Sequence, residues 1–182
     1  MVVDKTTLNN INLLHPKLRA EALQIYNEIV ANLTGNATVR FSTLRTFAEQ
    51  NALYAQGRTK PGPIVTNAQA GQSYHNYGLA LDIVLLVDKD KNGTFESVAW
   101  DTVGDYDGDK VADWAECTRI FKKYGWTWGA DWDNDGLTKA QGDKDEHLVD
   151  MPHYQKTFGY KEKQLLELYR TRRVDAQGYV FI

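Results

Sequence analysis

Two histidines and two aspartates form the strongest chemical pattern in this 182-residue sequence. His75 and Asp82 are seven residues apart, and Asp150 and His153 are three apart in the segment Asp-Met-Pro-His. Two histidines, one carboxylate and a fourth position left to water form one of the ligand sets of catalytic zinc ions. A second carboxylate beside that water can accept its proton. The four residues therefore predict a hydrolytic zinc centre.

The backbone must bend for these side chains to meet. On a continuous strand an odd separation would send His75 and Asp82 to opposite faces, and Gly78 offers the turn that avoids this. Asp82 interrupts the apolar run of residues 79–87, where a buried charge costs several kcal/mol unless it is paired or binds a metal. Pro152 favours an extended or turning backbone before His153 rather than a helix interior.

The elements that carry these residues follow from periodicity and capping signals. Arg45 falls at a junction between a strand over 39–44 and a helix opened by a Thr46–Glu49 capping box that ends near Gly57. Strands and helices interleave without regular βαβ spacing, which favours the α+β class over a doubly wound sheet. The other expected elements are a helix from Pro16 through Leu33 that stops at Gly35, a strand over 79–87, a helix over 114–124 capped by Asp113, a strand over 126–128, a helix around 165–169 and a tail or edge strand over 179–182.

Composition limits the class of protein. A chain with 42% hydrophobic residues and a formal charge of -3 fits one globular domain over 1–182. Cys117 is the single cysteine and cannot form an internal disulfide. We expect no export signal, no membrane insertion, no separate wall-binding domain and a monomer. No nucleic-acid-binding motif is present, so nucleic acid is not an expected partner.

Two acidic insertions, near residues 88–113 and 131–149, resemble incomplete calcium loops. Residues 88–113 hold eight acids against three lysines. Loops of the EF-hand type take oxygens at positions 1, 3, 5, 9 and 12 with glycine at 6. The sequence leaves two alternatives open, calcium binding or solvated acidic loops. The residues that could bind calcium are Asp88, Asp90 and Asn92, with Ala99 at position 12, and Asp105, Asp107, Asp109, Asp113 and Glu116, with Lys110 at position 6; a third loop starts with Asp131, Asp133 and Asp135 but has Gly142 at position 12.

Three ordered motifs resemble a known peptidase family. They are the stretch Thr43-Leu-Arg45 through Gly71-Gln-Ser73-Tyr-His75-Asn-Tyr-Gly78-Leu-Ala80-Leu-Asp82, the element Trp128-Gly-Ala-Asp131-Trp132, and the element Asp150-Met-Pro-His153-Tyr154. They are similar to zinc peptidases that cleave peptidoglycan stem peptides, in the branch that contains bacteriophage L-alanyl-D-glutamate endopeptidase endolysins. The D-alanyl-D-alanine carboxypeptidases of vancomycin resistance are more distant relatives.

The resemblance implies a role for each matching residue. His75, Asp82 and His153 would bind zinc, Asp150 would act as general base, and Arg45 would bind and polarise the substrate carbonyl, unless it forms a salt bridge to an acidic loop. Ser73 would contact substrate or shape the turn, and Gln50 and Tyr54 would pack the motif helix. His147 is a rival ligand to His153. The implied fold is a small antiparallel sheet flanked by helices, like that of hedgehog and D,D-peptidase domains.

The resemblance also implies a function and leaves alternatives to it. The leading hypothesis is a phage endolysin, made in the host cytoplasm and released to cleave the L-alanyl-D-glutamate bond of the wall. One alternative is D,D-carboxypeptidase specificity. Two others are a non-catalytic metal-bound module that binds the wall and a calcium-binding interaction protein, which would bind calcium without zinc.

Overall fold

The protein consists of one antiparallel sheet packed against helices, in agreement with the expected α+β class. The computed structural model describes residues 3–136, 138–142 and 148–182. Its helices are α1 (Lys5–Ile11), α2 (Pro16–Asn32), α3 (Phe47–Ala55), α4 (Asp113–Lys123) and α5 (Glu162–Arg170), with short 3₁₀ turns at Tyr74–Tyr77 and Lys139–Gln141. Its strands are β1 (Ala37–Ser42), β2 (Ala80–Val87), β3 (Ser97–Ala99), β4 (Thr127–Trp128) and β5 (His153–Gln155).

Strand β2 is the centre of the sheet. One edge of β2 pairs with β1 from Asp82, opposite Ser42, to Val87, opposite Ala37. The other edge pairs with β5 at its beginning and with β3 at its end, and β4 extends the sheet beyond β5. All of these pairings are antiparallel. The beginning of β2 therefore lies between two neighbours, where residues from three strands come together.

The helix boundaries agree closely with the capping signals. Helix α2 has Pro16 at its first position, and the positive φ of Gly35 follows its end. Helix α3 starts with the complete Thr46–Glu49 capping box. The prediction that Asp113 caps α4 was wrong, because Ala112 is the cap residue and the Asp113 carboxylate accepts from the Tyr106 backbone N–H instead. Helix α1 and strand β3 were not predicted.

An aromatic row connects the helices to the sheet. Tyr26 of α2 packs edge-on against Phe41 of β1, and Phe41 packs against Phe121 of α4. Phe121 in turn stacks on Tyr154 of β5 with ring centroids 4.1 Å apart. Tyr154 is fully buried and bonded through its hydroxyl to Thr118 at 2.6 Å. Because Tyr154 is fixed in the core, the preceding His153 must point to the opposite face of the sheet.

The C-terminal residues are held against the body of the protein. The Nε2 atom of His15 lies 2.9 Å from the Val180 carbonyl oxygen, and Val180 forms an isolated bridge with Val174. The residues at 179–182 are thus a tail rather than a named strand. Among the described residues, none of the helices has the length and apolar character needed to cross a bilayer.

Candidate metal centre and active-site groove

Strand register brings Asp82 and His153 together. Asp82 of β2 lies directly opposite His153 of β5 and Ser42 of β1. Its neighbours Leu81 and Ile83 are in the hydrophobic core, so Asp82 points to the other face of the sheet. The Asp82 side chain keeps 28% of its surface exposed, and its Oδ1 atom lies 3.4 Å from His153 Nδ1. The expectation of a buried strand was correct, but its charge lies on the groove side of that strand.

A tight turn brings His75 to the same place. The 3₁₀ turn Tyr74–Tyr77 ends at Gly78, whose φ of 67° lies in the left-handed region. A Cβ atom at Gly78 would also lie 2.6 Å from the backbone nitrogen of His15, so both conformation and space require glycine. His75 is buried, and its Nε2 atom lies 3.2 Å from Asp82 Oδ1. The predicted bend at Gly78 is confirmed.

Hydrogen bonds fix the orientation of both imidazole rings. His75 Nδ1 lies 2.8 Å from the Thr43 carbonyl oxygen, which can only accept, so the proton is on Nδ1 and the Nε2 lone pair faces the site. His153 Nε2 lies 2.9 Å from Gln155 Oε1, which leaves Nδ1 as its inward nitrogen. Outer partners of this kind are typical of metal-binding histidines. The sequence reasoning missed Gln155, although its position two residues after His153 places it on the same face of a strand.

The three inward atoms form a triangle of the right size for a metal ion. His75 Nε2, Asp82 Oδ1 and His153 Nδ1 are separated by 3.2, 3.4 and 3.2 Å. Ligands at about 2.0–2.1 Å from a tetrahedral zinc are about 3.3–3.4 Å from one another. Two imidazoles and one carboxylate are also donors that suit zinc. These residues fit a three-ligand metal site with one side open to the groove.

The electrostatics of the triangle favour positive charge. Burial alone would raise the pKa of Asp82, but attraction to protonated His75 and the hydrogen bonds that protonated His153 and His75 donate hold that pKa well below its usual range. Burial acts to lower the pKa of His153, yet the Asp82 carboxylate raises it above the ordinary histidine value. The site is therefore built around an anionic carboxylate that attracts a cation.

Arg45 is positioned beside the triangle by a buried glutamine. Arg45 Nη2 lies 3.6 Å from Asp82 Oδ2, and Arg45 Nη1 donates to Gln50 Oε1 at 3.0 Å. Gln50 is fully buried and donates through Nε2 to the Ala68 carbonyl at 2.7 Å. The alternative of a salt bridge to an acidic loop is not what the described residues show, since Arg45 pairs with Asp82. Gln50 does pack the motif helix as expected, but it also orients Arg45.

Asp150 is held at the groove by a tight backbone arrangement. Its backbone N–H donates to the Gly129 carbonyl at 2.7 Å, and its carbonyl accepts from the His153 N–H at 3.1 Å. A Cβ atom at Gly129 would lie 2.3 Å from the Asp150 carbonyl oxygen. Although Asp150 is exposed in the open groove, desolvation of its carboxyl group by surrounding protein, with repulsion from Asp82, raises its pKa, while His153 opposes the shift. A carboxylate of raised pKa is a better proton acceptor.

These residues line one open groove with a volume of about 1010 Å³. Ser73 lines it too, and its backbone carbonyl accepts from the Asn76 N–H at 3.0 Å within the turn. The groove wall includes the exposed apolar residues Ile64, Val65 and Leu148. Trp132 closes one side, with its ring centroid 5.4 Å from that of His153. Apolar walls around a few convergent polar groups are typical of ligand-binding clefts.

Most of the predicted site residues come together, and the acidic residues lie elsewhere. The groove contains Arg45, Ser73, His75, Asp82, Asp150 and His153. His147, the rival ligand, lies outside the described residues. Asn92 donates through its side chain to Asp90 and through its N–H to Asp88, and the third carboxylate grouped with Asp88 and Asp90 is Glu96. Asp131 pairs with Lys122 and groups with Asp133 and Asp135.

Comparison with known proteins identifies the class. A family model described as D-alanyl-D-alanine carboxypeptidase matches residues 66–136, a range that includes His75 and Asp82. Over this range the chain is similar to this peptidase family. It is also 45% identical over 123 residues to the peptidoglycan L-alanyl-D-glutamate endopeptidase CwlK of Bacillus subtilis. That alignment covers 65% of this chain and 66%, just under two thirds, of the Bacillus protein.

Proposed function

We propose that the protein is a zinc-dependent peptidase that hydrolyses the L-alanyl-D-glutamate bond of peptidoglycan stem peptides. The observation that carries this proposal is the triangle of His75 Nε2, Asp82 Oδ1 and His153 Nδ1, with edges of 3.2 to 3.4 Å, beside Asp150 and Arg45. A structural metal site would need neither an adjacent free carboxylate nor an arginine. Their presence supports hydrolysis over a non-catalytic wall-binding module.

The choice of bond follows from the relative and from the groove. CwlK is named as an L-alanyl-D-glutamate endopeptidase, and its 45% identity supports the same bond here. The groove of about 1010 Å³ reaches the upper limit of pockets that enclose drug-sized ligands, which suits an extended peptide. D,D-carboxypeptidase activity, the description of the matching family, is the alternative within the same chemistry.

The contribution of the metal in this scheme is Lewis-acid chemistry. When bound by His75, Asp82 and His153, zinc would supply a Lewis acid that polarises the scissile carbonyl and lowers the pKa of water. The chain itself holds the two histidines in the required tautomers through the Thr43 carbonyl and Gln155. These outer bonds leave both inward nitrogens available to the metal and aimed at one point.

In this scheme Asp150 transfers the proton, and Arg45 stabilises the negative charge that develops on the carbonyl oxygen. Asp150 accepts the proton of the attacking water as the water oxygen bonds to the alanine carbonyl carbon. It then returns that proton to the glutamate nitrogen as the carbon–nitrogen bond breaks. Arg45, oriented by Gln50, donates hydrogen bonds to the carbonyl oxygen as negative charge develops there. The products are a free alanine carboxylate and a free D-glutamate amine.

The biological setting rests on separate evidence. Resemblance of the motifs to phage endolysins supports a role in host lysis, with the protein acting on the wall after release. The 45%-identical relative, in contrast, is a bacterial protein. The bond that is cleaved is the same in both settings.

Digestion of purified peptidoglycan by the zinc-loaded protein, followed by mass spectrometry, tests the proposal. We expect new L-alanine carboxyl ends paired with D-glutamate amines. Release of terminal D-alanine alone would replace the proposed specificity with carboxypeptidase activity. Absence of any cleavage by a folded, zinc-bound sample would reject the enzyme in favour of the wall-binding module.

A further inference from the structure

Five carboxylates converge at the start of helix α4, outside the groove. Oxygen atoms of Asp105, Asp107 and Asp113 lie within 4.8 Å of one another, and so do those of Asp107, Asp109 and Glu116. The two groups share Asp107 and so form one cluster, which we call the α4 acidic cluster. Asp113 is completely buried within it. Such a concentration of negative charge destabilises the fold unless a cation offsets it.

Glu116 supplies a second and independent observation. Its residue exposure is 4%, and its Oε2 atom is buried with no hydrogen-bond partner in the described part of the chain. Its other oxygen, Oε1, lies 3.6 Å from Nη2 of the exposed Arg119, too far for a hydrogen bond. Burial, with repulsion from Asp109 and Asp107, raises the pKa of Glu116 to about 7. A buried carboxylate oxygen without a partner costs several kcal/mol unless a cation binds it.

The backbone of the loop already has the turn that a calcium loop needs. Counted from Asp105, the carboxylates occupy positions 1, 3, 5, 9 and 12. The usual glycine at position 6 is replaced by Lys110, but Lys110 adopts a φ of 78°, the conformation for which glycine is normally used. The Asp105 carboxylate accepts from the N–H groups of Gly108 and Lys110 at 2.6 and 3.0 Å. The residue type therefore departs from the pattern while the chain path follows it.

We propose that the α4 acidic cluster binds one calcium ion through carboxylates of Asp105, Asp107, Asp109, Asp113 and Glu116. Calcium takes six to eight oxygen ligands in flexible geometry, which an all-carboxylate loop provides, whereas magnesium requires a near-ideal octahedron. The histidine-containing triangle in the groove suits zinc instead. The ligands of the two sites thus favour different metals. The calcium proposal does not depend on the proposed hydrolysis.

The position of the cluster gives bound calcium a structural role. Asp107 Oδ2 accepts from the Thr34 N–H at 3.0 Å, which ties the loop to the turn between α2 and β1. Glu116 lies in α4, the helix whose Phe121 stacks on Tyr154 beside His153. Calcium binding therefore fixes the start of the helix that supports strand β5.

The other acidic groups do not combine a carboxylate cluster with a buried carboxylate oxygen that lacks a partner in the described part of the chain. The Asp88 group contains no buried side-chain oxygen that lacks a partner in the described part of the chain, and the Asp88 carboxylate accepts from the N–H groups of Asn92 and Gly93 at 3.0 and 2.8 Å. Asp131 is paired with Lys122. These groups provide internal comparisons for the test.

Isothermal titration with calcium chloride tests the proposal on protein stripped of metal and reloaded with one equivalent of zinc. We expect one calcium ion per chain with a Kd below about 1 mM. At calcium a hundredfold above Kd, the Tm should rise by about 5–10 °C. Asp109→Asn, at an exposed position, and Glu116→Gln should each weaken binding at least tenfold. The controls Asp101→Asn and Asp90→Asn, at exposed acids outside the cluster, should bind as the parent does.

The Tm of Glu116→Gln without calcium provides a further test, because the proposal predicts an increase. Without calcium this variant should have a higher Tm than the parent, because a buried uncompensated charge is removed, and calcium should raise its Tm little. Absence of calcium binding by the parent would overturn the proposal. So would unchanged binding by both cluster variants, or loss of binding in Asp90→Asn, which would place the ion at the Asp88 group.

Discussion

His75 Nε2 and His153 Nδ1 lie 3.2 Å apart, and the opposite nitrogen of each ring is bonded to an oxygen acceptor. With both outer protons in use, the two inward lone pairs face each other and the Asp82 carboxylate. Three acceptors at this distance repel one another unless a proton or metal ion lies between them. The hydrogen bonds outside the triangle are therefore what make it a site for a cation.

Removal of the outer partner of His153 should weaken metal binding. Gln155→Met keeps the length of the side chain but removes the oxygen that accepts from His153 Nε2. We expect zinc affinity to fall about 10–100-fold, measured by competition with a chelating dye. Gln24→Met, at an exposed position of α2, is the matched control and should leave zinc affinity unchanged. Equal zinc affinity in the two variants would contradict the role of Gln155.

Two substitutions of the buried Gln50 should affect catalytic activity and stability to different extents. Gln50→Leu removes both the acceptor for Arg45 and the donor to Ala68, so we expect a loss of about 1–3 kcal/mol in the free energy of unfolding and a clear loss of kcat. Gln50→Glu keeps an acceptor for Arg45 but lacks the donor to Ala68. It should therefore lose stability while retaining more kcat than Gln50→Leu. Equal kcat in the two variants, with equal zinc content, would show that Gln50 does not orient Arg45.

The close approach of Gly129 to Asp150 predicts a strong effect of a single methyl group. In Gly129→Ala the added Cβ would lie 2.3 Å from the Asp150 carbonyl and 3.0 Å from the His153 Cβ, so the backbone must shift. We expect kcat/KM to fall at least tenfold. Ala130→Gly at the next, buried position should cost about 1 kcal/mol of stability and keep activity. The account fails here if Gly129→Ala is as active as Ala130→Gly.

His15 gives the stability a dependence on pH. Burial lowers the pKa of His15 below its usual 6.5, so the ring stays neutral in the folded protein while the unfolded chain takes up a proton. The unfolded state then binds more protons as pH falls below about 6.5, and the free energy of unfolding decreases. Urea unfolding at pH 7.5, 6.5 and 5.5 should show a steeper loss in the parent than in His15→Gln. Parallel curves would mean that His15 does not contribute.

Local signals in the sequence explain why much of the fold was predictable. Pro16 and Gly35 bound α2, the Thr46–Glu49 box opens α3, and a long run of β-forming residues makes β2. These features act within a few residues and need no tertiary context. Helix α1 was missed because its apolar residues show little periodicity, and its stability comes from distant contacts such as the Asp4–Arg40 ion pair. Strand β3 has three residues, too few for an alternating pattern.

Some residues of the site could likewise be predicted from the sequence, and others could not. The metal-site residues could be found because histidines and carboxylates are rare together at these spacings and resemble known motifs. Gln50 could not be assigned to Arg45, because its partner atoms are set by how α3 packs on the loop at Ala68. The role of Lys110 could not be predicted for another reason. Lysine is not the residue type expected at position 6 of a calcium loop, and the sequence does not show that its backbone still adopts the positive φ usual for glycine there.

Hydrolysis of a defined stem peptide by Asp150→Asn tests the central claim most directly. The peptide carries an L-alanyl-D-glutamate bond, and zinc content is measured on the same samples by mass spectrometry of the metal. The account predicts that the parent cleaves this bond and that Asp150→Asn retains about one zinc per chain while kcat/KM falls about 10²–10⁴-fold. Full activity of a zinc-loaded Asp150→Asn, or no cleavage by a zinc-loaded parent, would contradict it.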